Sequence, residues 1–335
     1  MARVMSGIQP TGSLHIGNYL GALKNFAVLQ QRYDAFFAVV DLHALTIRPD
    51  PAVLRAGVRE IAIGILASGV DPKLATLFVQ SQVPGHADLM WILSCFTPLG
   101  DLNRMTQFKD KSVQNADNVN SGLFTYPVLQ AADILLYRAE AVPVGEDQDQ
   151  HLELAREIVR RFNGLYGPTF PEPATVKSDA PRVLGIDGEA KMSKSKNNEL
   201  GLFEEEAATW EKLRVAKTDP QRLRRSDAGD PMRCNVYSWH RFFSPAQTCA
   251  QVAAECRTAA IGCVDCKKIL AGNLEVTKAP IRERAKELRS NPSHLDDILA
   301  DGAARASKVA NETLLVVREK LGLTTASARS GGSRG

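Results

Sequence analysis

The 335-residue sequence contains no run of about 18 apolar residues, which argues against a membrane-spanning helix. It also has no room for a secretory leader, since Met1 to Ile8 runs into a turn before an apolar core could form, so a cytoplasmic protein is expected. A dominant charge is missing as well. Lys and Arg number 41 against 38 Asp and Glu, so a polyanionic partner has to meet a local basic patch rather than a uniformly basic surface. Cysteine is scarce: of six, Cys95 stands alone and the others fall between Cys234 and Cys266, a crowding that suits reduced thiols or metal ligands better than a disulfide framework. Internal repeats are absent, and no mucin-like or collagen-like bias appears. The length exceeds one typical domain, and a core domain with a smaller partner is the natural expectation.

The first 190 residues alternate short apolar runs with amphipathic stretches. Arg3–Ile8, Ala35–Val40, Thr76–Gln80 and Ala141–Val144 read as buried strands. Ile16–Gln31, Pro51–Ser68, Ala87–Phe96, Tyr126–Tyr137 and Glu146–Phe162 read as helices. Strand alternating with helix predicts an α/β fold, a Rossmann-type doubly wound parallel sheet that binds ligands at the carboxyl ends of its strands. From Phe203 to Leu321 the pattern is almost wholly helical, broken near Asp227–Pro231 and Ser290–Ser293, which predicts a second, all-helical domain. The expected division is a Rossmann catalytic domain over 1–189, a helical domain over 190–288, helices over 289–323 that pack back on the first domain, and a disordered tail over 324–335. Basic residues collect in the helical part at Arg222, Arg224, Arg225, Arg282 and Lys286; a solvated helix face or a nucleic-acid contact accounts for such a run.

Two segments carry chemistry. The first strand enters Ser6-Gly-Ile-Gln-Pro-Thr-Gly-Ser-Leu-His-Ile-Gly-Asn18 just before a helix. Gly12 permits a tight turn, Gly17 and Gly21 let a flat base approach the backbone, and His15 can donate to a phosphate as charge builds. A turn with a helix cap is the plainer reading of that segment alone. The second is Lys191-Met-Ser-Lys-Ser195, whose lysines and hydroxyls can follow a departing pyrophosphate and neutralise it. The helix from Tyr126 adds a pocket signal. It is apolar nearly all round, yet Tyr126, Gln130 and Asp133 share one face. Buried polar groups need partners, and a carboxylate in an apolar pocket suits a group that only donates, such as an indole N–H. An internal hydrogen-bond network, or a face turned to solvent, satisfies the same rule.

Cys234, Cys256, Cys263 and Cys266 form C-x21-C-x6-C-x2-C, with Cys249 as a fifth candidate. All-thiolate ligation fits structural Zn²⁺ or a 4Fe–4S cluster, and free buried thiols are the remaining reading.

Together these segments resemble bacterial tryptophanyl-tRNA synthetases. Thr11–Asn18 is similar to the "HIGH" signature of class I aminoacyl-tRNA synthetases, and Lys191–Ser195 matches "KMSKS" letter for letter. Met105–Lys109, Thr125–Leu136 and Pro143–Gln148 look like the same family. The resemblance implies formation of tryptophanyl-adenylate from L-tryptophan and ATP, helped by Mg²⁺, then transfer to the 3′ end of tRNA(Trp). It implies catalytic roles for His15, Asn18, Lys109, Lys191, Lys194 and Ser195. It places tryptophan against Asp133, Tyr126, Gln148, Gln130, His43 and Met5, with Asp133 on the indole nitrogen. It places ATP against Gln9, Pro10, Thr11, Gly17, Asn18, Gly145, Glu146, Asp147, Val183 and Lys191 through Ser195. Met5 stands where relatives carry phenylalanine, and Gln130 where some carry methionine. The resemblance further implies a homodimer, an anticodon-binding helical domain and, as in some relatives, a 4Fe–4S cluster on the four cysteines. Activation of tyrosine on a related scaffold, another nucleotidyl transfer, and a non-catalytic RNA-binding relative are the competing readings.

Overall fold

The computed structural model describes residues 1–108, 118–145, 148–177 and 183–323, apart from the side chains of Lys177 and Ser195. Strand β1 (Arg3–Ile8) leads into α1 (Ile16–Asn18), which passes through a π turn (Tyr19–Leu23) into α2 (Lys24–Leu29). Then come β2 (Asp34–Val39), α3 (Asp41–Ala44), α4 (Pro51–Ala67), β3 (Ala75–Val79), α5 (Gly85–Ser94) and α6 (Leu99–Asn103). After them follow α7 (Ser121–Leu136), β4 (Ala141–Val144), α8 (Asp149–Tyr166) and β5 (Ala174–Lys177). The remainder is helical: α9 (Glu206–Val215), α10 (Asn235–Phe243), α11 (Ala246–Arg257), α12 (Cys263–Ser290) and α13 (Pro292–Lys320). None of the described helices is long and apolar enough to cross a membrane.

All strand pairs are parallel and the order is β3-β2-β1-β4-β5, the doubly wound arrangement expected. Because successive side chains leave opposite faces, each strand feeds two cores. Met5, Phe36, Ala38 and Phe78 join α5, α7 and α8 on one face, while Val4, Ala35, Phe37, Val39 and Leu77 join α2 and α4 on the other. Helix starts are locally encoded. Asp50 accepts from Ala52 and Val53 N–H ahead of Pro51, Asn120 accepts from Leu123 N–H, and Asn291 accepts from His294 N–H ahead of Pro292.

The outer strand β3 would present unpaired backbone to solvent, and α13 covers it. Arg305 donates to the carbonyls of Pro72 and Ala75, and Gly302 lies so close to Leu77 that an added Cβ would stand 1.7 Å from its carbonyl oxygen. Gly302→Ala therefore forces the helix off the strand, and we expect a loss of about 1–3 kcal/mol. An unchanged midpoint in thermal unfolding would show that the contact does not matter.

Candidate active site

Strand order reverses between β1 and β4, and ligands of such sheets bind in the crevice at that switch point. Ile8 at the end of β1 delivers Gln9, Pro10, Thr11 and Gly12, and Val144 at the end of β4 delivers Gly145 and then Gln148. Gly12 has φ +84, a left-handed turn that glycine adopts without strain. Gly57 of α4 lets that helix approach Pro10, since a Cβ there would meet the Pro10 carbonyl oxygen at 2.6 Å.

The two signature segments meet across this crevice. Ile16 N–H donates to the Leu200 carbonyl at 3.0 Å, and Leu202 N–H donates to the Leu14 carbonyl at 2.9 Å, with His15 bridged to Gly201 between them. A Cβ on Gly12 would lie 3.8 Å from Lys194 Cβ, and one on Gly17 would lie 3.7 Å from Met192 Cβ. Ile16, Leu20, Val183, Met192 and Leu200 share one apolar cluster, which anchors the loop while leaving Lys191 and Lys194 exposed. Met192 N–H also donates to the Val183 carbonyl, tying together two segments that the sequence led us to expect at ATP.

His15 is 8 % exposed and its Nδ1 has no hydrogen-bond partner among the described residues. Burial lowers its pKa, Glu199 opposes that shift and Lys191 adds to it, so the imidazole is held toward its neutral form. Asn18 accepts from the His15 N–H at 3.0 Å and so shapes the turn. Two residues that motif reading missed hold the lysine loop. Asn198 accepts from Ser193 N–H at 2.8 Å, and its amide donates to Asp187 Oδ2 at 2.7 Å. Asp187 is held below its ordinary pKa first by the Glu189 N–H, then by Asn198.

On the other side of the switch point, Asp133 of α7 is 4 % exposed, so the face it occupies is not turned to solvent. The internal network is present. His43 Nε2 lies 2.7 Å from Asp133 Oδ2, while Gln80 Nε2 and His86 Nδ1 each lie 2.6 Å from Oδ1. Burial alone would raise the Asp133 pKa, but His43 and then His86 outweigh it and bring it down to about 2. His43 thus joins Asp133 directly, whereas Gln80 and His86 were not among the expected residues. Their signal was a polar pair (Gln80 and His86) just after an apolar strand.

Tyr126 donates to Gln107 Oε1 at 3.1 Å and lies 2.9 Å from His151 Nε2; burial pushes its pKa up to about 12. Gln130 donates to Gln148 Oε1 at 3.3 Å, so these two expected residues stand together. Met5 is buried in the core that α7 also feeds. Thr11 is exposed, and Gln9, Gly17 and Asn18 are half-buried along the crevice. Lys109, Glu146 and Asp147 lie outside the described residues, as does the tail from 324, and the side chain of Ser195 is likewise outside.

The four spaced cysteines do gather: after burial, the largest cause, Cys234, Cys256 and Cys263 add to the rise that pushes the Cys266 pKa up to about 12, and Cys256 and Cys263 add to that of Cys234. Even so, no three His, Cys, Asp or Glu side chains among the described residues form a group that could hold a metal ion. Cys234, Cys256, Cys263 and Cys266, expected from their spacing to be metal ligands or free thiols, are free thiols here. A single Zn²⁺ would need all four sulfurs within about 2.3 Å. The basic runs are likewise engaged within the fold. Arg222 and Arg225 donate to carbonyls of Ile261 and Ala260, and Arg282 and Lys286 pair with Glu205.

A Rossmann cleft closed by a lysine-rich loop on its glycine-lined first turn defines a class I aminoacyl-tRNA synthetase. The family described as tRNA synthetases class I (W and Y) matches residues 1–276. A tryptophan–tRNA ligase of Deinococcus radiodurans is 50 % identical over 328 residues, covering 96 % of this chain and 99 % of that protein. Tryptophan–tRNA ligase 2 of Streptomyces avermitilis is 46 % identical over 331 residues, covering 97 % and 98 %. The crystal structure of the Campylobacter jejuni tryptophanyl-tRNA synthetase, complexed with ADP and tryptophan, superposes with a TM-score of 0.86 at 36 % identity, covering 96 % and 99 %. The chain belongs to the class I tRNA synthetases of the W and Y family.

Proposed function

We propose that the protein is a tryptophan–tRNA ligase that forms tryptophanyl-adenylate from L-tryptophan and ATP, then passes tryptophan to tRNA(Trp). The observation that carries the reading is the shared cleft of the first turn and the lysine loop, held together by the Ile16–Leu200 and Leu202–Leu14 hydrogen bonds. The neutral His15 donates to a phosphate oxygen, and Lys191 and Lys194 neutralise the pyrophosphate as it departs. Gln9, Pro10, Thr11, Gly17, Asn18, Gly145 and Val183 line the nucleotide side. Tyr126, Gln148, Gln130, His43 and Met5 surround the amino acid, and Asp133 accepts the indole N–H. The tryptophan carboxylate attacks the α-phosphorus, so no protein nucleophile takes part and catalysis is positioning with charge neutralisation. Mg²⁺, bound with ATP, would supply further neutralisation of phosphate charge beside Lys191 and Lys194. ATP–pyrophosphate exchange measured with each of the twenty amino acids tests this: tryptophan alone should support exchange, and exchange driven by tyrosine would overturn it.

The same proposal includes 1–189 as the catalytic domain, 190–288 as the anticodon-binding domain, 289–323 as the returning helices and a homodimer for which exposed Trp91 and Leu99 offer apolar surface. A monomeric mass in light scattering would remove the dimer. A structural 4Fe–4S cluster on Cys234, Cys256, Cys263 and Cys266 also belongs here. Four neighbouring thiols supply the all-thiolate set such a cluster takes, and Arg222 Nη1 at 3.8 Å from Cys256 Sγ would offset thiolate charge. Protein purified without oxygen should be brown and carry iron with acid-labile sulfide; a colourless protein holding zinc would overturn the cluster.

A further inference from the structure

The hydrogen bonds around Asp133 can be counted lone pair by lone pair. A carboxylate only accepts, with about two sites on each oxygen. Oδ1 takes Gln80 Nε2 and His86 Nδ1, both at 2.6 Å, and is filled. Oδ2 takes His43 Nε2 at 2.7 Å and keeps one site. The Gln80 amide is oriented by Leu42 N–H, which donates to its Oε1 at 3.1 Å. His86 donates through Nδ1, and its Nε2 lies 2.8 Å from the Tyr137 hydroxyl, which holds the ring from its other edge. Gln80, His86 and Tyr137 are all fully buried, so water does not compete for these bonds.

We propose that His86, held by Tyr137, positions the Asp133 carboxylate so that Oδ2 offers one acceptor to the ring of the bound amino acid, making His86 a specificity-determining positioning residue. The inference rests on the reading of Asp133 as the indole acceptor. A ring that donates once and needs nothing in return completes the set. A phenol can donate there too, but its oxygen lone pairs then need a donor beside Oδ2, and His43 Nε2 and His86 Nδ1 are already directed to Asp133.

The test compares tryptophan with its benzothiophene analogue, in which sulfur replaces the N–H. Preference is read as the ratio of kcat/KM in ATP–pyrophosphate exchange and as the ratio of binding constants by calorimetry. The full-length protein is used, with His86→Leu, His86→Asn, Tyr137→Phe and Asp133→Asn. His86→Leu should reduce the preference roughly tenfold by raising the KM for tryptophan while the KM for ATP stays put. His86→Asn, whose amide N–H reaches the place of Nδ1, should recover most of it, and Tyr137→Phe should lose a few-fold. Should His86→Leu not fold, Tyr137→Phe and His86→Asn carry the test. If Asp133→Asn loses the preference while the His86 and Tyr137 variants keep it, the positioning role is wrong and Asp133 keeps its own. If Asp133→Asn also keeps it, the underlying assignment of Asp133 is what fails. A loss in His86→Leu that His86→Asn does not recover, with ATP affected equally, would overturn the inference in favour of a packing role.

Discussion

Asp133→Ala is expected to lower kcat/KM for tryptophan roughly 10²-fold or more while phenylalanine is hardly affected, so that the preference between them collapses. The carboxylate is buried, held at a pKa of about 2 by His43 and His86 against the opposing effect of burial, and therefore charged at every physiological pH. A charged acceptor in a dry pocket rewards a substrate that brings a donor, and phenylalanine brings none. The alanine variant also strands His43, Gln80 and His86 without their common acceptor, which costs stability. Thermal unfolding must accompany the kinetics for that reason, and Asp133→Asn supplies a variant of equal size. None of the residues proposed to contact ATP is among the hydrogen-bond partners of Asp133, so the KM for ATP should hold. An unchanged tryptophan-to-phenylalanine ratio in a folded variant would refute the role.

Lys194→Ala should reduce the exchange kcat by about 10²–10³-fold, with little change in the KM for tryptophan. Lys194 packs over Gly12 with its side chain exposed to the cleft, and its loop is pinned through Ser193, Asn198 and Asp187. An ammonium group there matters most when pyrophosphate gains charge, so the loss belongs to kcat. Lys194→Arg should keep part of the rate. A variant whose KM for tryptophan rises while kcat is preserved would place Lys194 in ground-state binding instead.

The four strands read from the sequence all form, each within a residue of its expected limits, because buried parallel strands are written as short apolar runs bounded by turn residues. Strand β5 was not foreseen. Ala174–Lys177 is four residues long, carries Thr175 and Lys177, follows Pro171 and Pro173, and earns its place only by pairing with β4. The first helix was expected to be regular over Ile16–Gln31, yet Tyr19–Leu23 forms a π turn around Gly21, a departure that periodicity does not reveal. The meeting of the first turn with the lysine loop was legible because the two motifs are local strings. Across the crevice, helical periodicity made Asp133, Tyr126 and Gln130 legible as polar residues on one face, whereas His43 and Gln148 were named only through the resemblance. Gln80 and His86 reach Asp133 from 53 and 47 positions away, and such a meeting exists only once the sheet is assembled. For the cysteines, spacing foretold their gathering but not how closely their sulfurs would approach.

The cover that α13 places on β3 also dictates when this protein can finish folding. The ribosome makes the strand well before Gly302 and Arg305, which leave the exit tunnel only after the whole cleft has been translated. Until then a nascent chain carries a bare strand edge, open to pairing with another molecule. A message truncated before codon 302 would therefore yield a product prone to aggregate, even though every residue of the cleft had been translated.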